Sequence, residues 1–200
     1  MPVEFTTLEA PIDVMYLIHK ALRAEAARVG EIVAQLEEGA TLQPFRRTFY
    51  QWVMALEYHS LMEEASMTAL SADSASPWDH HATHAALEAT LEAVQTCLNE
   101  EIGRTFLIAR TQRHLFGKVV EARIAQDDHL EDEEALLLPI LRQRVAARQQ
   151  LEIVKGLLID QDAPDNCWIL DWLSEHLTGK EQQLLTGLLA RLTEAASGRG

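Results

Sequence analysis

The sequence predicts an all-α protein: an up-down-up-down antiparallel four-helix bundle followed by a C-terminal helical extension. Three observations carry this. Ala, Leu, Glu, Gln and Arg dominate while β-branched runs are absent, which is helix-forming composition. Glycine and proline are scarce, at 9 and 6 of 200 residues. Between a few short breaks, apolar residues recur at alternating steps of three and four, the period of one helix face.

The breaks fix the elements. "EEGATLQP" (37–44) separates a helix over about 11–37 from one over 44–70, with Pro44 suited to a first helical turn. "SADSASP" (71–77) is a loop by its Ser, Asp and Pro content. A third helix, about 78–98, stops at "NEEIG" (99–103). The fourth spans about 104–138, where Pro139 should end or kink it. "DQDAPDN" (160–166) is a loop within a tail of three shorter helices, near 148–159, 166–178 and 180–195. Short connections make consecutive long helices antiparallel neighbours. Residues 11–146 are therefore the bundle, and 147–196 a helical cap or dimerisation extension. The tail's apolar set includes Trp168, Trp172, Leu173, Leu177, Leu185 and Leu188. It either covers one mouth of the bundle, forms a homodimer contact, or acts as a lid.

The formal net charge is −14. That argues against nucleic acid, which needs Lys and Arg to neutralise phosphates, and against an anionic membrane surface. The two cysteines, Cys97 and Cys167, form no CxxC pattern, so neither a disulfide framework nor a thiolate metal site is expected. The N-terminus shows no basic segment before an apolar run, and no apolar stretch reaches 18 residues. A reducing, cytoplasmic setting is the expectation.

The core-facing stripes hold unexpected residues. Helix one gives Met15, His19, Leu22, Ala26, Val29, Val33 and Leu36. Helix two gives Phe45, Phe49, Trp52, Leu56, His59, Glu63 and, after Ser66, Leu70. Helix three gives His80, His84, Leu87, Leu91, Val94 and Leu98. Helix four gives Leu115, Val119, Ala122, Gln126, His129, Glu133, Leu136 and Ile140. His19, His59, Glu63, His80, His84, His129 and Glu133 thus point inward, and every long helix contributes. A buried carboxylate without a partner costs several kcal/mol. No Lys or Arg on these stripes lies nearby to offset it. Protonated buried histidines would be opposed by desolvation. A metal cation resolves both, because neutral imidazole and carboxylate are its normal ligands.

The chain also repeats itself. "HKALRAEAARV" (19–29) and "HAALEATLEAV" (84–94) share His, Ala, Leu, Ala and Val in register. "YHSLMEEASMTAL" (58–70) parallels "DHLEDEEALLLPI" (128–140), both reading H-x-x-x-E-E-A. The i, i+4 spacing puts each His and Glu on one helix face. Two similar hairpins packed face to face bring both sets together. They are not equal, since His80 has Met15 as its counterpart. One metal can collect three histidines and the other two, leaving an open position for a small ligand.

These motifs resemble the hemerythrin-like family, or HHE cation-binding domain, over residues 12 to about 145. "LIHKALRAE" and "DHLEDEEALLLPIL" are both similar to that family's sequences. The resemblance implies a hemerythrin-like bundle and a non-haem di-iron centre, bridged by two carboxylates and an oxygen species. It implies that His80, His84 and His129 bind one iron, that His19 and His59 bind the other, and that Glu63 and Glu133 bridge. There are departures. In oxygen-carrying hemerythrins the second bridging carboxylate sits one residue further on, here Glu134, whereas the stripe favours Glu133. His81 rivals His80 but lies off the stripe. Ala69 stands where the second copy has Pro139. Asp127 or Asp128 could orient a ligand histidine; Glu131, Asp132 and Glu134 read as solvated surface.

Three functions fit this reading. The first is a binding or gas- and redox-sensing protein taking O2, NO or peroxide at the open iron. The second is a di-iron enzyme of peroxidase, NO-reducing or oxidase/oxygenase type. The third is iron storage or sensing through a protein partner. Zn or Mn could occupy the same ligands, which do not select strongly.

Overall fold

The computed structural model describes residues 4–70, 80–101 and 107–197. Among them no strand occurs. A 3-10 turn at Pro11–Asp13 leads into α1 (Val14–Ala34). Helices α2 (Gln43–Leu70), α3 (His80–Thr96) and α4 (Ala109–Asp132) complete the bundle. α1 packs against α2 and α4, and α3 against α4 and α2, so consecutive helices are neighbours around one core. The expected break after α1 holds Gly39 at φ 75°, a conformation that favours glycine. Its N–H donates to Leu107 O at 2.9 Å, tying this break to the segment just before α4.

The stripes bury as their period requires. Leu22, Val29, Phe45, Phe49, Trp52, Leu56, Leu98, Leu115 and Val119 are all inaccessible or nearly so. One part of the pattern is overturned. Leu136 and Ile140, expected on the core stripe of helix four, are 49% and 38% exposed, while Leu137, Leu138 and Leu141 are buried. The cause is a π turn at Glu133–Leu137. It takes up one residue more than an α turn, so everything beyond Glu133 is rotated by about 100° relative to the uniform period. There the Leu138 N–H donates to Glu133 O, five residues back. Pro139 has no N–H to give. The chain therefore neither ends nor breaks at Pro139 but continues as α5 (Leu138–Arg144). A second π turn, Cys97–Glu101, follows α3.

The tail comprises α6 (Ala147–Leu158), α7 (Trp168–His176) and α8 (Gly179–Ser197). α6 packs on α2 and the Pro11–Asp13 turn, and α7 packs on α1. Ile169, Leu173, Leu177, Leu185 and Leu188 are buried in the same core as the bundle's side chains. Polar ties complete the docking. Buried Gln150 accepts from Ile12 N and donates to Val145 O at 2.8 Å. Glu181, fully buried, accepts from Lys20 Nζ at 2.7 Å, from Phe5 N at 3.0 Å and from Thr178 N at 2.9 Å. His176 Nε2 lies 2.9 Å from the buried Glu25 carboxylate of α1. Among the described residues no helix is long and apolar enough to cross a membrane.

Candidate metal centre

Each long helix delivers its share because the inward stripe is built from i, i+3 and i+4 steps, which stack on one face. His19 comes from α1, His59 and Glu63 from α2, His84 from α3, His129 from α4 and Glu133 from the start of the π turn. The structure gathers these six into two groups that share Glu133. One is Glu63, His84, His129 and Glu133; the other is His19, His59 and Glu133. Within each group the candidate ligand atoms lie within 4.8 Å of one another. α3 begins at His80, and the side chains of His80 and its rival His81 lie outside the described part of the structure.

Glu133 is the centre of the arrangement. Its Oε2 is 3.0 Å from His19 Nε2 and 3.4 Å from His59 Nε2. Its Oε1 is 2.6 Å from His129 Nε2 and 4.0 Å from His84 Nε2. One carboxylate thus turns one oxygen to each histidine pair. Glu63 Oε2 stands 3.4 Å from His84 Nε2, within the first group.

Burial penalises every charge here, and the neighbours decide the outcome. Burial holds the His59 imidazole below its ordinary value. For His19, burial is outweighed by the carboxylates of Glu133 and Glu134, which raise it to about 9. For His84, Glu133, Glu63 and Glu64 outweigh burial and raise it to about 10. Burial, with Glu133 alongside, pushes the Glu63 carboxyl up to about 8. At Glu133 the four surrounding histidines overcome burial and hold the carboxyl well below the ordinary range. The equivalent glutamates of the two copies of the repeat are thereby driven apart.

The donor set fits a cation. Buried His19 Nε2 and Glu133 Oε1 make no hydrogen bond in spite of their close neighbours. A short approach without hydrogen-bond alignment is what atoms aimed at a shared cation show. Imidazole and carboxylate together suit iron, zinc or manganese.

A comparison with family models agrees: the hemerythrin HHE cation-binding domain matches residues 10–141. The chain belongs to that family. No curated protein and no solved structure matches it.

Within this hemerythrin-family bundle, several side chains stand elsewhere than the sequence implied. Glu134, which reads as solvated surface or as a rival to Glu133, is partly buried against α1. Its Oε1 accepts from His19 Nδ1 at 2.9 Å and from Arg23 Nη1 at 2.7 Å. Glu64 was not singled out in the sequence, yet its Oε1 accepts from His84 Nδ1 at 2.9 Å. The signal was present: both H-x-x-x-E-E-A copies carry a second glutamate. Asp127 approaches Arg23 at 3.7 Å, and Asp128 is exposed, so neither meets a histidine of the cluster. By contrast, Tyr58 and Tyr16 are plain packing residues: Tyr58 donates to Gly156 O at 2.6 Å, and Tyr16 stacks on Phe5. Gln126 was present in the stripe but not marked as polar. It is fully buried one turn before His129, and its Oε1 accepts from Trp52 Nε1 at 2.6 Å.

Proposed function

We propose that this protein holds a pair of iron ions at the Glu133-centred cluster and binds a small ligand there, O2, NO or peroxide, as an oxygen-binding or redox- and gas-sensing protein. One observation carries the reading. A single buried carboxylate presents its two oxygens to two separate histidine pairs. A one-metal site has no use for that division.

On this reading His19 and His59 would hold one ion, and His84 and His129 the other. Glu133 would span both, with Glu63 beside the second. His80, one turn before His84 on α3, is the candidate for a third histidine there. Iron supplies reversible one-electron redox chemistry and open coordination positions. The chain supplies the rest. Glu133 stays ionised because four imidazoles surround it. Neutral imidazoles and two carboxylates leave a pair of divalent ions net positive, and so receptive to an anionic or reducible ligand. Leu22, Leu56 and Leu87, one step along the same stripes from His19, His59 and His84, are buried and keep water from that side.

Iron analysis of protein produced with iron supplied, combined with optical spectra before and after O2, tests the proposal. The expected result is an iron pair per chain and a charge-transfer band that comes and goes with O2. Less than one metal per chain would sink it. Steady consumption of peroxide or NO, lost on replacing Glu63, would move the assignment to an enzyme.

A further inference from the structure

Resting on the metal-pair reading, we infer that Glu64 and Glu134 are positioning residues that work crosswise, each holding a histidine of the opposite hairpin with its Nε2 aimed at the centre. Each hairpin writes H-x-x-x-E-E once. The first glutamate of each copy turns into the cluster, and the second lies about 100° round the helix, toward a neighbour. From α2, Glu64 reaches His84 on α3. From the π turn after α4, Glu134 reaches His19 on α1. Both bonds are 2.9 Å, and both cross between hairpins.

The chemistry follows from the ring. A neutral imidazole has one N–H and one lone pair, so whichever nitrogen donates to a carboxylate leaves the other free to bind a cation. With Nδ1–H given to Glu134, His19 offers Nε2, which faces Glu133 at 3.0 Å. With Nδ1–H given to Glu64, His84 offers Nε2, which faces Glu63 at 3.4 Å. Each ring is strung between an outer and an inner carboxylate. Arg23 braces one end of the arrangement by donating to the same Glu134 oxygen.

The plainer alternative is a pair of surface ion pairs, which contribute little. It does not fit. The His19 side chain is fully buried and that of His84 is 10% exposed, whereas Glu134 and Glu64 are the partly exposed members. The same contact also recurs at matching places of an internal repeat, so it is not one accidental encounter.

Anaerobic Fe(II) titration of the full chain tests the inference. Glu134→Ala should weaken one ion of the pair by roughly 10- to 100-fold, and Glu64→Ala the other by a similar factor. Combined with His19→Ala, Glu134→Ala should add nothing further; combined with His84→Ala, its whole effect should persist. The amide carbonyl of Glu134→Gln and Glu64→Gln still accepts from Nδ1, so these should recover part of the affinity. They also carry the test if an alanine variant does not fold. Nitrogen NMR of the imidazoles should show Nδ1–H at His19 and His84 in the parent chain, and its loss in the matching alanine variant. Variants that load both ions like the parent would overturn the inference, as would equal weakening of both ions whatever the histidine background. A parent chain that takes up no iron would instead sink the metal-pair reading itself.

Discussion

The two hairpins of the bundle share a motif but not a build. The first, α1 and α2, is wound regularly and carries the tail: α7 lies on α1 and α6 on α2. The second, α3 and α4, holds both π turns, Cys97–Glu101 and Glu133–Leu137. The inner glutamates differ in the same way. Glu63 stays with one group, whereas Glu133, at the first residue of a π turn, takes part in both. The irregular winding falls on the hairpin that holds the centre, as is common for π turns at functional sites. The regular hairpin is the one braced from outside.

Three measurements sharpen that contrast. The largest effect is expected at the inner glutamates. Glu133→Ala should weaken both metals by more than about 100-fold, since even a residue that only orients a ligand is worth 10- to 100-fold. Glu63→Ala should act mainly on the ion held by His84 and His129. Equal effects of the two in a metal titration would erase the difference between the hairpins. Next comes the π turn itself. Leu137→Ala should cost about 2–5 kcal/mol in denaturant unfolding, as a buried leucine does. Leu136→Ala, on the exposed side, should stay within about 0.5 kcal/mol. The reverse order would mean that the uniform helical phase persists past Glu133.

The smallest effect concerns the brace on the first hairpin. Against burial, Lys20 and the backbone N–H groups of Thr178 and Phe5 hold the Glu181 carboxyl below its ordinary value of 4.5. A depressed carboxyl contributes stability that is fully present above its unfolded value and is lost as pH falls through the folded one. Glu181→Gln should therefore cost about 1.5–3 kcal/mol near neutral pH, the worth of a hydrogen bond to a charged group. The gap between parent and variant should close below about pH 4. A gap that is constant with pH would show that shape rather than charge holds α8 to α1.

Most of the fold was legible because it rests on a period. The helices, their breaks and the inward stripes follow from spacing, and six of the seven inward residues come together in the structure. What was not legible departs from that period or stands outside it. The phase of Leu136 and Ile140 was missed because a uniform 3.6-residue turn cannot foresee a single wider one. Pro139 marked the place, but the chain met it with a π turn rather than an end. Glu64 was missed because a partly exposed glutamate beside an inward one looks like solvated surface until the neighbouring helix is in place. Gln126 was hidden among apolar residues, where only the indole of Trp52 makes its carboxamide intelligible.

The π turn after Glu133 localises a change in chain length. In a regular helix, one inserted residue would swing every later side chain to a new face and drag the core contacts with it. Here the extra residue is absorbed within five positions, with His129 and Glu133 left in phase behind it and Leu137 and Leu141 returned to the core beyond. Removing one residue between Glu133 and Leu137 would turn the π turn into an α turn, and His129 and Glu133, which precede it, would keep their places.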